Sequence, residues 1–193
     1  HLFGEKISHM TPAKAQALGI AVIWQDLSLF PHMSVAENIA FRELVSLLPK
    51  VVQPWNYRKR VKAVLHRLGV QLDISSPLGS LTIAQRQIVA IARALISDAR
   101  ILFMDEPTSS LTQSETDSLL ELVRKLAEQG VSVVFVSHRL AEVIEISERV
   151  TVIRDGKLVG VFPTSGMTQT RLGELMTNQK LVSQVSARDR SDA

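Results

Sequence analysis

Three features of this sequence predict an α/β fold built on a parallel sheet. Short apolar runs alternate with stretches of helical periodicity, the order that a sheet with helical crossovers produces. One run, residues 101–104, is Ile-Leu-Phe-Met, and it stops at two adjacent carboxylates, Asp105 and Glu106, before Pro107. This reads as a buried strand carrying charge to its carboxyl end, the edge where parallel sheets place their chemistry. A second run, residues 131–136, is β-rich. Both runs are tied to helical patterns, so they pair in parallel through a right-handed crossover.

The elements follow in order. Residues 20–24 read as a short buried strand after Gly19, with Gln25 at its end. Residues 34–48 and 56–68 read as helices. The second of these carries Val61, Val64, Leu65 and Leu68 on one face and closes at Gly69, a favourable C-terminal residue. Its other face holds Arg58, Lys59, Arg60, Lys62 and Arg67. Such a stripe suits an acidic partner or lipid headgroups, but a solvated helix face is the favoured reading. Residues 75–80 form a loop. A helix then starts at Thr82, which has capping-box spacing to Gln85, and Ile88, Val89, Ile91, Ala92 and Leu95 supply its apolar face. Thr112 and Glu115 repeat that spacing ahead of a helix bearing Leu119, Leu122, Val123 and Leu126 and ending at Gly130. The strand 131–136 ends at Ser137-His138. A short helix follows, then two apolar runs around Asp155-Gly156, a strong hairpin signal. From Ser183 the chain is polar and mixed in charge, as a linker or frayed end is.

Composition narrows the function classes. The 193 residues fit one domain with a real core, at 46% hydrophobic residues and a mean hydropathy of +0.14. A formal charge of +3 is too small to argue for nucleic acid, although the pI of about 9.4 is basic. No apolar run reaches the roughly 18 residues of a membrane span, and the first residues lack the apolar core of a signal peptide. There is no cysteine, which excludes disulfides and thiolate metal sites. The chain starts with His1, as though its start had been removed or the sequence began inside a longer reading frame.

Four polar signals fall at loop edges: Gln25, Thr82 to Gln85, Asp105-Glu106 and His138. Asp105 is placed to hold a hard cation and Glu106 to orient or deprotonate a water. Each signal also has an ordinary reading. Gln25 can be a surface residue, Thr82 and Gln85 only a helix cap, the acidic pair a cap for the next helix, and His138 a packed or exposed histidine.

Taken together and in this order, the signals resemble the motifs of the nucleotide-binding domain of an ATP-binding cassette transporter. Gln25, in Trp-Gln-Asp-Leu-Ser-Leu-Phe-Pro, matches the family's Q-loop. Leu-Thr-Ile-Ala-Gln-Arg-Gln at 81–87 stands where the signature motif belongs. Residues 101–106 match the Walker B strand, 109–112 the D-loop, and Ser137-His138 the H-switch. The resemblance covers residues 1–178. Met-Ser-Val-Ala-Glu-Asn-Ile at 33–39, and a signature reading Thr-Ile-Ala-Gln, are similar to sugar-import ATPases of the ribose, galactose and xylose type. Glu-Leu-Met-Thr-Asn at 174–178 resembles the end of the first of two fused cassettes, and a single-cassette importer would end similarly.

This resemblance implies a partial P-loop NTPase-like cassette over residues 1–180, a parallel-sheet core with a helical subdomain at about 31–80, and a polar tail or linker at 181–193. It implies ATP and Mg²⁺ as ligands. Asp105 and Gln25 would hold the metal, Glu106 the attacking water, and His138 the γ-phosphate. Thr82, Ile83, Ala84 and Gln85 would face the nucleotide of a second cassette. The implied partners are that second nucleotide-binding domain, permease membrane subunits and, indirectly, a periplasmic sugar-binding protein, with no nucleic acid. The implied place is the cytoplasmic side of the inner membrane, as a peripheral subunit. Two departures matter. The family's Ser-Gly-Gly is Thr82-Ile83-Ala84, which brings side chains where backbone should approach phosphate. The glycine-rich phosphate loop does not occur in the 193 residues, since Gly156-Lys157 lacks its glycine framework. The chain is therefore expected to be an ATPase part that does not hydrolyse ATP alone. Alternatives are a non-catalytic remnant or permease-docking module and, ranked lower, a soluble cassette protein outside transport.

Overall fold

The computed structural model describes residues 2–46 and 54–177. The end expected for the first long helix and the polar tail lie outside the described residues. The chain forms two compact units, one ending at Ser137 and the other starting at His138.

The first unit contains a three-stranded parallel sheet in the order β1 (Ile20–Ile23), β2 (Ile101–Asp105), β3 (Ser132–Val136). The parallel pairing expected of the second and third strands is present, and β1 adds to the other side of β2. Before β1 comes a short helix, α1 (Pro12–Ala17), capped by Thr11. Gly19 between them has φ +76°, and its carbonyl accepts from the amides of Arg100 and Ile101 at 2.7 and 3.0 Å. A Cβ there would meet the Asp98 carbonyl at 3.2 Å, so both conformation and space require glycine.

Side chains alternate across the sheet. Ile23, Leu102 and Met104 are buried on one face, where α4 (Ile83–Ile96) packs on β1 and α5 (Gln113–Glu128) packs on β3. The other face carries the cross-strand row Val22–Phe103–Val134, whose members are 44%, 37% and 41% exposed. This corrects the expectation of fully buried strands: they are buried on one face only. Trp24 lies beyond β1 and is also exposed.

Three helices, α2 (Val35–Ser46), α3 (Pro54–Leu68) and α4, pack on one another. The loop 73–80 is ordered by backbone bonds to 31–36: Val35 donates to Ser76, Ala36 to Ile74, Leu78 to Met33 and Gly79 to Pro31, all at 2.9–3.0 Å. Asn38, fully buried, pins the preceding turn. Its side chain accepts from the Phe30 amide at 2.8 Å and donates to the carbonyls of Phe30, Met33 and Ser34.

The basic stripe of α3 is solvated as expected, with Lys59, Arg60, Lys62 and Arg67 exposed and Arg58 half-buried, but three of its arginines also bond to neighbouring elements. Arg58 donates to Ser75 Oγ at 2.6 Å, and Arg67 donates to Gln129 Oε1 at 2.7 Å. Arg60 pairs with Glu43 at 2.7 Å and donates to the Ile96 carbonyl at 2.9 Å. The three arginines staple α3 to the elements around it. A helix face can be rich in charge and still be a packing surface, because arginine covers apolar neighbours with its stem and bonds with its head.

The second unit holds α6 (Leu140–Ile146), the antiparallel hairpin β4 (Arg149–Arg154) and β5 (Lys157–Pro163), and α7 (Gln169–Thr177). Its core is Val143, Val152 and Leu172, joined by Phe162 and Leu175. The Asp-Gly signal is realised as a two-residue turn in which Asp155 and Gly156 both have positive φ, 49° and 71°, as a type I′ hairpin requires. A register shift after Val152, which faces Gly160 while Ile153 faces Leu158, makes a bulge. Helix α7 was legible only as a family-like segment, because its apolar positions are few.

Candidate functional site

All three strands of the first unit run the same way, so their carboxyl ends share one edge. Gln25 stands there, exposed, two residues beyond Ile23 of β1. Asp105 is the last residue of β2, opposite Val136 of β3 in register, and Glu106 follows. The structure therefore brings Gln25 and the acidic pair to adjacent strand ends. Ser137 closes β3 at the same edge. His138 is exposed and is the first residue of the second unit.

Glu106 has φ +47°, a left-handed conformation that is uncommon outside glycine and costs free energy. It is held on both sides. Its amide donates to the Val136 carbonyl at 2.9 Å, and its carbonyl accepts from Ser109 at 3.2 Å. Pro107 and Thr108 behind it are buried. The sheet edge thus clamps the backbone of one carboxylate in a strained state while the strand fixes the other. Side-chain oxygen Oε2 of Glu106 is itself buried.

Helix α4 starts where the sequence predicts, and its capping box is closed in both directions. Thr82 Oγ1 accepts from the Gln85 amide at 3.2 Å, and Gln85 Oε1 accepts from the Thr82 amide at 3.0 Å. Thr82 and Gln85 thus use their side chains on the cap. The amides of Ile83 and Ala84 have no partner among the described residues, and the first turn of α4 holds no acidic residue. That end carries donors and a partial positive charge, which is what an anion needs. Ile83 is 52% exposed at this end.

Oxygen donors from Asp105 and Gln25 suit a hard cation. Among the described residues no group of three or more His, Cys, Asp or Glu could cage a metal. Mg²⁺ shared with substrate phosphates needs no such cage, because one or two protein oxygens complete its shell. A groove of about 400 Å³ lies between α3, α4 and α5, with Ala84, Ile88 and Leu111 on its wall. It sits beside the α4 start and not at the acidic edge.

Sequence reasoning missed three features here. Ser34 and Glu37 form a capping box at α2, with Ser34 Oγ donating to Glu37 Oε2 at 2.6 Å and the Ser34 amide at 2.8 Å. Those bonds hold the Glu37 carboxyl below its ordinary value of 4.5. The Ser-x-x-Glu spacing was the available signal. Asn38 and Arg93 both clamp the segment after Gln25, and neither leaves a local pattern.

A family profile described as ABC transporter matches residues 1–109, more than half of the chain. The chain belongs to the ABC transporter family. In that family ATP-binding subunits work with membrane permease components. This ABC chain is 46% identical over 170 residues to a ribose import ATP-binding protein of Streptomyces avermitilis, a match covering 88% of the chain and 34% of that protein. It is 43% identical over 176 residues to a putative ribose/galactose/methyl galactoside import ATP-binding protein of Burkholderia ambifaria, covering 90% and 33%. It thus spans about a third of the length of these curated relatives. A nucleotide-free ATP-binding cassette from an ABC transporter shares the fold at a TM-score of 0.72 and 21% identity, over 90% of this chain and 71% of that one. The cbiO1 protein from Clostridium perfringens, part of the ABC transporter complex cbiONQ, does so at 0.68 and 23%, over 81% and 62%. No helix among the described residues is long and apolar enough to cross a membrane.

Proposed function

We propose that these residues are the sheet-edge, helical and signature portion of a cassette that hydrolyses ATP to drive import of a monosaccharide or related small sugar. One observation carries the reading: a strained, clamped Glu106 beside Asp105, with Gln25 at the neighbouring strand end. Relatives named for ribose and galactoside import supply the substrate class. Asp105 and Gln25 would hold Mg²⁺, which when bound neutralises charge on the phosphates. Glu106 orients and polarises the attacking water, its position set by the clamp on its backbone. His138 contacts the γ-phosphate and stabilises charge there. The start of α4 offers its Ile83 and Ala84 amides to the nucleotide of a second cassette. Ile83 and Ala84 stand where glycines would let phosphate come closest, so that contribution is weakened. Turnover would further need a glycine-rich phosphate loop, which these 193 residues do not contain. The assembly docks on permease subunits at the cytoplasmic face of the membrane and serves an external sugar-binding protein through them.

The test is Mg-ATP hydrolysis by the full reading frame that contains these residues. Glu106→Gln should reduce turnover about 100-fold or more while nucleotide binding persists. The 193 residues alone should show no turnover. A full-length protein that docks on a permease yet never turns over ATP would instead favour a non-catalytic module. Turnover indifferent to Glu106→Gln would remove the assignment altogether.

A further inference from the structure

Arg93 lies on α4, eleven residues beyond Thr82, or about 16 Å along the helix at 1.5 Å per residue. Its two terminal nitrogens donate to consecutive carbonyls of the segment after Gln25: Nη2 to Leu27 at 2.7 Å and Nη1 to Ser28 at 2.8 Å. In extended backbone successive carbonyls point to opposite sides. Here Ser28 is left-handed, at φ +48°, which lets both face one guanidinium. Asp26 supports that kink. Its carboxylate accepts from the Ser28 amide and its carbonyl from the Ser28 hydroxyl, both at 3.3 Å. Burial pushes the Arg93 guanidinium below its ordinary pKa, so the cation is withdrawn from water and depends on these acceptors.

We propose that Arg93 is a positioning residue that locks the Gln25 loop to the helix bearing Thr82, so that the loop and the helix move as one piece. The consequence for nucleotide rests on the function proposed above. Gln25 would meet the metal of its own site, and the α4 start would meet the nucleotide of the second cassette. A rigid fork between them makes the posture of one contact dictate the posture of the other. The fork geometry is what matters, since lysine carries the charge but presents a single nitrogen and holds one carbonyl poorly oriented.

Hydrogen exchange on the 193-residue chain tests the lock without nucleotide. Arg93→Lys and Arg93→Met should each raise exchange of the Ser28 amide, which donates to Asp26, about tenfold, with α5 amides and the thermal midpoint held near the parent's values. In a Trp55→Phe background Trp24 is the sole indole, and its fluorescence anisotropy should fall in both variants. Full protection in Arg93→Lys would reduce Arg93 to charge and stem packing and overturn the proposal. A rise shared equally by α5 would make its role merely structural and overturn it too. Because no nucleotide enters either measurement, an absence of ATP turnover in the full-length protein would count against the function and leave the lock standing.

Discussion

Helices α4 and α5 begin in nearly the same way and differ in one atom group. Both open with threonine caps and closed capping boxes, but the third helical residue is Gln85 in α4 and Glu115 in α5. In α5 the carboxylate accepts from the Thr112 amide at 3.0 Å and the Thr112 hydroxyl at 2.9 Å. Those bonds hold the Glu115 carboxyl below its ordinary value of 4.5. The positive end of α5 therefore carries its own anion. In α4 a neutral amide performs the same geometry and brings no charge, so the field at that end remains available. The α2 box, Ser34 with Glu37, follows the α5 pattern. The boxes at α2 and α5 bring their own charge, whereas the cap of α4, like those of Thr11 on α1 and Thr168 ahead of α7, leaves its first turn without an acidic residue. The difference teaches that helix capping and anion binding compete for the same donors, and that one side-chain atom decides between them.

The largest effect should come from removing that distinction. Gln85→Glu keeps the box and fills the α4 end with charge, so ATP hydrolysis by the full-length protein should fall about tenfold, or about 1.4 kcal/mol. The mirror change, Glu115→Gln, should leave the rate within about twofold. Equal losses from both would show that the α4 end meets no phosphate. Next in size is the cost of the caps themselves. Thr82→Ala and Thr112→Ala should each lower stability by about 1 kcal/mol in urea titrations, and a null result for either would mean that the cap is compensated nearby.

The smallest effect separates the two caps by acid. Glu115 has a depressed folded pKa, so its contribution is fully present above about pH 4.5 and is lost as pH falls through the lower folded value. The stability gap between parent and Thr112→Ala should therefore narrow between pH 7 and about pH 3, while the gap for Thr82→Ala stays level. Urea midpoints at the two pH values decide it. A Thr82→Ala gap that narrows equally would show that Gln85 is not what distinguishes the ends.

Much of this was legible because the governing physics is local. Capping boxes at Thr82 and Thr112, the Asp155-Gly156 turn and the acid stop after residues 101–104 each depend on residues within a few positions. Strand 131–136 and its parallel pairing followed from run length and the handedness of crossovers. What escaped was set by contacts distant in sequence. Arg93 reaches back 65 and 66 residues to the segment it holds, and Arg60 reaches 36 residues to α4. No spacing rule shows which arginines will bond an element distant in sequence. The half-bare sheet escaped for a related reason, since the apolar pattern of β2 is the same whether or not a second layer covers it. At the candidate site, the positions of Asp105, Glu106 and Gln25 at strand ends were legible from the apolar runs before them. The left-handed backbone of Glu106 was not, because no residue type announces it.

The uncovered row Val22–Phe103–Val134 has a consequence for the chain as a substance. Water bounds apolar surface there at a free-energy cost that any second surface can relieve, and among the described residues the sheet that carries it has three strands. A polypeptide in this condition is sticky before it is inactive. Its yield and lifetime on its own are governed by concentration, and by how soon another surface reaches that face.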